Sequence, residues 1–322
     1  MELAFMSKKI LALLLGLIAI LAAIVLLKRN KPSADHITIG ILQTASFPAL
    51  DDSMQGFISE IKKELGDKVI IIEQNAQGSI MQAQAIASSF KANKSISGFY
   101  AIATPAVQAL KSEIKTRPIT FAAVTDPIGL HLREEGSNIT GATDMADIEK
   151  QISILKILLP NVKKVALLYN PGETNSVILV KQMKIALEKY GITYQDNGAN
   201  SQADVAAAAQ HAVQNAQAVL IPTDNTIASA FPIVRQIADK ANIPIIATGT
   251  AEKEGPLMQF GVDYFQSGVQ AAQLMKKMLV DGIKPMDLPI VAPTSSIIIS
   301  KKALEKYGLE IPDSLKDSVS LM

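Results

Sequence analysis

Apolar runs in this chain stop abruptly at small polar or acidic residues, usually beside a proline. They do so over residues 99–105, 119–127, 165–171, 218–225 and 243–249. A run of that length with helical sequence on both sides predicts a parallel strand buried on both faces. In open parallel sheets a ligand binds just beyond the carboxyl ends of the strands. The polar stops therefore fall where a ligand site belongs, and they do so in both halves of the chain.

The pattern between the stops alternates. Residues 37–42 predict a strand, and 50–65 an amphipathic helix with Met54, Phe57, Ile58, Ile61 and Leu65 on one stripe. A strand over 69–73, a helix capped by Ser79 and running to Phe90, a strand ending at Ala103, a helix from Pro105 to about 114 and a strand ending at Val124 follow. After a polar loop at 130–137 and a short extended piece at 138–143 the grammar restarts. Helices are expected over 147–159, 175–190, 203–213 and 226–240, with strands over 165–169, 192–195, 218–221 and 245–248. Such alternation implies parallel sheets with helices on both faces.

The tail offers a strand at 257–262, a helix at 263–280 and a strand at 297–300. This is too little for a third core. It is the right amount to complete the first sheet and then return to the second. The chain then passes between lobes near 139–146, 250–257 and 283–295, a hinge that lets two lobes close on a ligand. The expected division is 1–35 as anchor and tether, 36–142 plus 256–283 as lobe 1, and 143–255 plus 284–322 as lobe 2.

With 322 residues and 48% hydrophobic content, the chain is long enough for two cored domains. A net charge of +1 gives no reason to expect nucleic acid as a partner. There is no cysteine, so disulfides, thiolate metal sites, a cysteine nucleophile and a lipoprotein acylation site are all excluded. Lys8 and Lys9 precede an uncharged apolar run over 10–27, closed by Lys28, Arg29 and Lys31. As a helix it would span roughly 27 Å, close to the hydrocarbon thickness of a bilayer. The residues after it make a poor cleavage site, which favours an uncleaved signal anchor with the long domain exported. Cleavage within 21–23, releasing a periplasmic protein, is the alternative.

Thr104-Pro105 and Thr125-Asp126-Pro127 end strands in the first half, and Asn170 to Ser176 and Pro222 to Asn225 do so in the second. Helices start at or near each. A helix N-terminus suits a carboxylate, and the carboxylates of Asp126, Glu173 and Asp224 suit an ammonium. Together they suit a zwitterion such as an amino acid. Each such residue is also an ordinary N-cap; the weight lies in four such turns on one face of two sheets. Gln43, Thr44 and Phe47 follow the first strand, Asn75 the second, and Asp263 the strand of the tail. Phe47 and Phe265 either stack on a planar ligand or belong to the core. The histidines 36, 131 and 211 lack ligand spacing, so no metal is expected. No phosphate loop or nucleophile elbow is present, and neither a cofactor nor enzymatic activity is expected.

From residue 37 onward these stretches resemble the substrate-binding proteins of ABC importers, within the tryptophan/tyrosine-binding (TrpX-like) family. Asn170-Pro171-Gly172-Glu173-Thr174-Asn175-Ser176 and Pro222-Thr223-Asp224-Asn225 carry the resemblance most specifically. It implies an α/β, type I periplasmic-binding-protein fold, two Rossmann-like lobes with parallel sheets joined by three crossovers, here preceded by a membrane-spanning helix. It implies that an aromatic amino acid or related solute is captured by lobe closure and delivered to a membrane permease and its ATPase. The cleft would be lined at Gln43, Asn75, Thr104, Thr125, Asp126, Asn170, Glu173, Asn175, Thr223, Asp224 and Asp263. A membrane-tethered sensor using the same cleft is the alternative function. Alanine at Asp126 or Asp224 is expected to weaken binding with little loss of fold.

Overall fold

Where the apolar runs lie, the backbone is extended and covered on both faces. In the computed structural model, which describes residues 36–249 and 255–322, every residue of the strand Ile119–Val124 is buried. The segment expected to cross a membrane lies outside the described residues. Among the described residues no helix is long and apolar enough to do so.

The first part of the chain runs β1 (Ile37–Gln43), α1 (Pro48–Leu65), β2 (Val69–Asn75), α2 (Ile80–Ala92), β3 (Ile96–Ile102), α3 (Thr104–Glu113), β4 (Ile119–Val124) and β5 (Ile139–Thr143). These strands form an all-parallel sheet in the order β2-β1-β3-β4-β5. The second part runs α4 (Ile148–Leu158), β6 (Lys164–Tyr169), α5 (Thr174–Lys189), β7 (Thr193–Gly198), α6 (Val205–Ala212), β8 (Val219–Ile221), α7 (Asn225–Ser229), α8 (Phe231–Ala241), β9 (Ile245–Thr248), β10 (Met258–Val262), α9 (Tyr264–Leu279), β11 (Ser295–Ile299), α10 (Lys301–Tyr307) and β12 (Ser320–Leu321). Its sheet has the order β12-β11-β10-β9-β8-β6-β7, with only the β10–β11 pair antiparallel.

Three expectations are corrected. The strand at Met258–Val262 joins the second sheet, not the first. Leu257 and Met258 are fully buried in the same core as Ile246, Ile297 and Ile299, while the outer edge of β5 takes Val291 through a bridge to Ala142. An apolar strand carries no address, so its residues alone do not say which core receives it. Residues 285–288 stay with the first half, where Arg133 donates to the carbonyls of Pro285, Met286 and Leu288. The passes between sheets thus fall at 143–147, 262–264 and 291–295. Finally, the helix expected over 226–240 is two helices, α7 and α8. Pro232 lacks an N–H and its ring clashes with the preceding turn, so one continuous helix cannot form there.

Helix α9 leaves the second sheet and packs on α1 beside the first. Two glycines allow the approach. A Cβ at Gly56 would stand 2.1 Å from the Phe265 carbonyl oxygen, and one at Gly268 would stand 2.0 Å from that of Ser53. Below them, Phe57 stacks on Tyr100 at 4.0 Å between ring centroids, and the Tyr100 hydroxyl meets Ser53 Oγ at 2.7 Å. Phe265 itself is 41% exposed on the outer surface, neither core nor cleft.

Candidate functional site

The carboxyl edge of the second sheet is built around two buried acids. Glu173, just before α5, accepts from the Asn225 backbone and side chain (3.0 and 2.6 Å), from the Thr226 backbone and hydroxyl (2.9 and 2.7 Å) and from Asn175 Nδ2 (3.1 Å). Asp224 caps α7 by accepting from the Ile227 N–H at 2.8 Å. Its other oxygen accepts from the Asn170 N–H and the Ser176 hydroxyl, both at 2.6 Å. Asn170 Nδ2 donates to Thr226 Oγ1 at 2.8 Å. The two loops are therefore sewn together. Burial and the neighbouring Glu173 charge push the Asp224 carboxyl up to about 7.

The first sheet's edge is organised differently. Gln43 donates to Asp51 Oδ1 (2.7 Å) and accepts from Asn75 Nδ2 (2.9 Å). Thr44 Oγ1 donates to the Ile102 carbonyl and accepts from the Ala106 N–H. The two strands that follow end in alanines with left-handed backbones, Ala103 at φ 75° and Ala123 at φ 58°. Neither Phe47 nor Ala103 caps the helix it precedes, α1 and α3; for α3 the Thr44 hydroxyl takes the Ala106 N–H instead. Strain of this kind costs about 1–3 kcal/mol per residue and collects at ligand sites.

Where the crossovers pass, Asp144 follows β5 and Tyr264 opens α9. The Tyr264 hydroxyl lies 3.1 Å from Asp144 Oδ2 and 2.9 Å from the Gly249 carbonyl. Asp144 Oδ1 is buried without a hydrogen-bond partner. Burial pushes this carboxyl up to about 6, against the opposing pull of the Tyr264 and Thr125 hydroxyls.

These edges enclose a narrow cavity of about 10 Å³, room for one water molecule. Phe47, Ala49, Leu50, Ala103 and Ala123 line it from the first sheet. Asn175, Pro222, Thr223, Asp224, Asn225 and Phe231 line it from the second, with Asp144 and Tyr264 between. Its buried polar atoms without a partner are Asp144 Oδ1, Asn175 Oδ1 and Thr223 Oγ1. Among the described residues, no lysine, arginine or histidine lines it. Beside it a wider groove of about 580 Å³ runs between Thr44, Gln77–Met81 and Pro105 on one side and Asn170, Glu173 and residues 200–203 on the other.

Of the residues expected from sequence, Asn175, Thr223 and Asp224 line the cavity, and Asn170 and Glu173 the groove. Thr104 and Thr125 are buried at the first edge without lining either space, and Gln43 and Asn75 are tied up with each other. Two expected ligands serve as caps instead. Asp126 accepts from the Gly129 N–H at 2.8 Å within its own turn, and exposed Asp263 caps α9 through the Gln266 N–H. Nor is Asp224 a free ligand arm: it is wired into three segments, so its loss must cost fold. Sequence reasoning missed Asp144 and Tyr264 as site residues. The signal for Asp144 was present, since Gly141-Ala142-Thr143-Asp144 repeats the apolar-to-Thr-Asp stop seen at 124–126.

Two parallel sheets with facing carboxyl edges, joined by three passes of chain, define a type I periplasmic-binding-protein fold. The chain belongs to the ABC transporter substrate binding protein family, whose model matches residues 38–320. It is 33% identical over 291 residues to the tyrosine-binding protein of Clostridioides difficile strain R20291, covering 88% of this chain and 84% of that one. It is similar to the solved ABC domain in complex with L-Trp from Streptococcus pneumonia, at 32% identity and a TM-score of 0.83, covering 89% of this chain and all of that one (100%). The ligand-free, open structure of a substrate binding protein with adhesive properties from Clostridium difficile matches at 31% identity over 89% of this chain and 99% of that one, with a TM-score of 0.63.

Proposed function

We propose that this chain is the extracytoplasmic solute-binding protein of an ABC importer and that it captures an aromatic amino acid in the cavity between its sheets. The observation that carries this reading is the polarity of the cavity. Partnerless acceptors on Asp144, Asn175 and Thr223 suit an ammonium group, and the uncapped start of α1 opposite them suits a carboxylate. Phe47, Leu50, Pro222 and Phe231 supply the apolar wall for a ring.

The cavity as it stands has room for only one water, so the sheets must part to admit the ligand. A hinge at 143–147, 262–264 and 291–295 allows that. The higher similarity to the L-Trp complex than to the open, ligand-free relative, at nearly equal identity, supports a closed conformation here. Lobe 1 then comprises residues 37–142 with 264–291, and lobe 2 residues 148–262 with 295–322. A ligand touching both lobes favours the closed form, which a permease and its ATPase would read. Anchoring through the N-terminal segment belongs to the same proposal. Titration calorimetry with L-tryptophan, L-tyrosine and L-phenylalanine tests it: one of them should bind at a single site. Absence of binding by all three would refute the aromatic assignment.

A further inference from the structure

The first crossover carries Asp144 near its start and the second ends in Tyr264, and their side chains meet at the cavity wall. The Tyr264 hydroxyl lies within hydrogen-bond reach of two acceptors, Asp144 Oδ2 and the Gly249 carbonyl, and has one proton to give. With Asp144 ionised, one of these contacts joins lone pair to lone pair. A proton on Asp144 resolves the conflict: Asp144 donates to Tyr264, and Tyr264 donates to Gly249. The second oxygen, Oδ1, has no partner at all. Among the described residues, the groups packed around this carboxyl are the Thr125 hydroxyl just after β4, Tyr264 from α9, Thr248 at the end of β9 and Gly249 after it. Asp224 and Asn175 line the same cavity from the second sheet, and among the described residues no cationic side chain lines it. Burial raises Asp144 to about 6, in keeping with that arrangement.

We propose that Asp144 is the counter-charge for the ligand's ammonium group, that it holds a proton while the cleft is empty, and that capture of the ligand expels this proton to solvent. The inference rests on the amino-acid reading above. Charge balances: a neutral carboxylic acid and an ammonium cation become a carboxylate–ammonium pair and one released proton. Oδ1 then accepts from the ammonium, and the Tyr264 hydroxyl is free to donate to Oδ2. Binding is thereby linked to pH through a residue that also joins two of the three passes between the sheets.

Calorimetry of the full chain with L-tryptophan and L-tyrosine, run in buffers of differing ionisation enthalpy, counts the protons. More than about half a proton per ligand should leave near pH 5.5 and almost none near pH 8, with affinity roughly fourfold weaker at the lower pH. Indole-3-propionate, which keeps the ring and carboxylate but lacks the amine, should bind without release. Asp144→Asn should weaken amino-acid binding and abolish the release. Tyr264→Phe removes the hydroxyl whose single proton sets this arrangement, so the midpoint of the pH dependence should shift, which a purely structural role would not produce. Tight binding near pH 5.5 with no proton released would overturn the proposal and leave the amino-acid reading intact. Equal release with indole-3-propionate, or from Asp144→Asn, would also overturn it by placing the proton elsewhere. Failure of both amino acids to bind at either pH would remove the reading and the inference together.

Discussion

The two carboxyl edges carry nearly the same signature, Val124-Thr125-Asp126-Pro127 on one sheet and Ile221-Pro222-Thr223-Asp224 on the other, yet the aspartates do different work. Asp224 is 3% exposed and bonds to backbone or side chain in three segments. Asp126 is half-exposed and serves only its own turn. The second edge is a rigid, acid-centred frame. The first is a strained backbone with an uncapped start to α1 and few polar side chains facing the cavity. One edge offers acceptors to a cation and the other offers N–H dipoles to an anion, so a zwitterion fits only when both are present.

The sharpest way to break that contrast is Glu173→Ala. It strands five buried donors at once, and the loss of stability should be on the order of 3–5 kcal/mol, read as the midpoint of urea unfolding. A loss below about 1 kcal/mol would mean that the frame does not hold the edge. Asp224→Ala should follow at about 2 kcal/mol, because three shorter links go.

The same residue sets a pH dependence whose sign is the reverse of that of an ion-paired carboxylate, because burial raises its pKa. Its folded pKa, about 7, lies above the unfolded aspartate value. The folded state therefore binds the proton more tightly. The contribution is full below about pH 4 and is lost as pH rises through about 7. Ser176 can accept the proton from Asp224 while donating to the Thr223 carbonyl at 3.2 Å, so the protonated form stays hydrogen-bonded. Urea midpoints between pH 4 and 8 should decline with pH in the wild type, and more weakly in Asp224→Asn.

Much of the frame was legible in the sequence because periodicity and caps are local. Ser79, Asp147 and Ser300 accept from the backbone N–H groups of Gln82, Lys150 and Ala303, and the first two mark starts that the pattern alone predicted. What stayed hidden was non-local. Nothing in Met258–Val262 says which sheet it joins, because either core would accept its apolar side chains. Nothing in Asp126 or Asp224 says which one faces a partner across the fold. Asp144 carried the right motif but sat at a crossover, where the pattern reads as a connection. The strain at Ala103 and Ala123 was invisible, since alanine is an unremarkable residue at a strand end until its φ is known.

That strain gives a test on the first edge. Ala103→Gly removes a side chain held at φ 75° and should raise stability by about 1 kcal/mol, read by thermal or urea unfolding. An unchanged or lower stability would mean that the surrounding contacts of the methyl group outweigh the strain, and the first edge would then be no more strained than the second.

The smallest effect is the most discriminating. Asp126→Ala removes one accepted hydrogen bond, from the Gly129 N–H, at a turn already open to water. Water replaces that bond, so the cost should stay within about 0.5–1 kcal/mol. Affinity for L-tryptophan or L-tyrosine should hold within about twofold, because Asp126 does not line the cavity. Asp224→Ala under the same conditions should lose stability and affinity together. A large loss of affinity in Asp126→Ala with its fold intact would show that the first edge turns this carboxylate toward the ligand when the sheets part, and the division of labour between the edges would have to be redrawn.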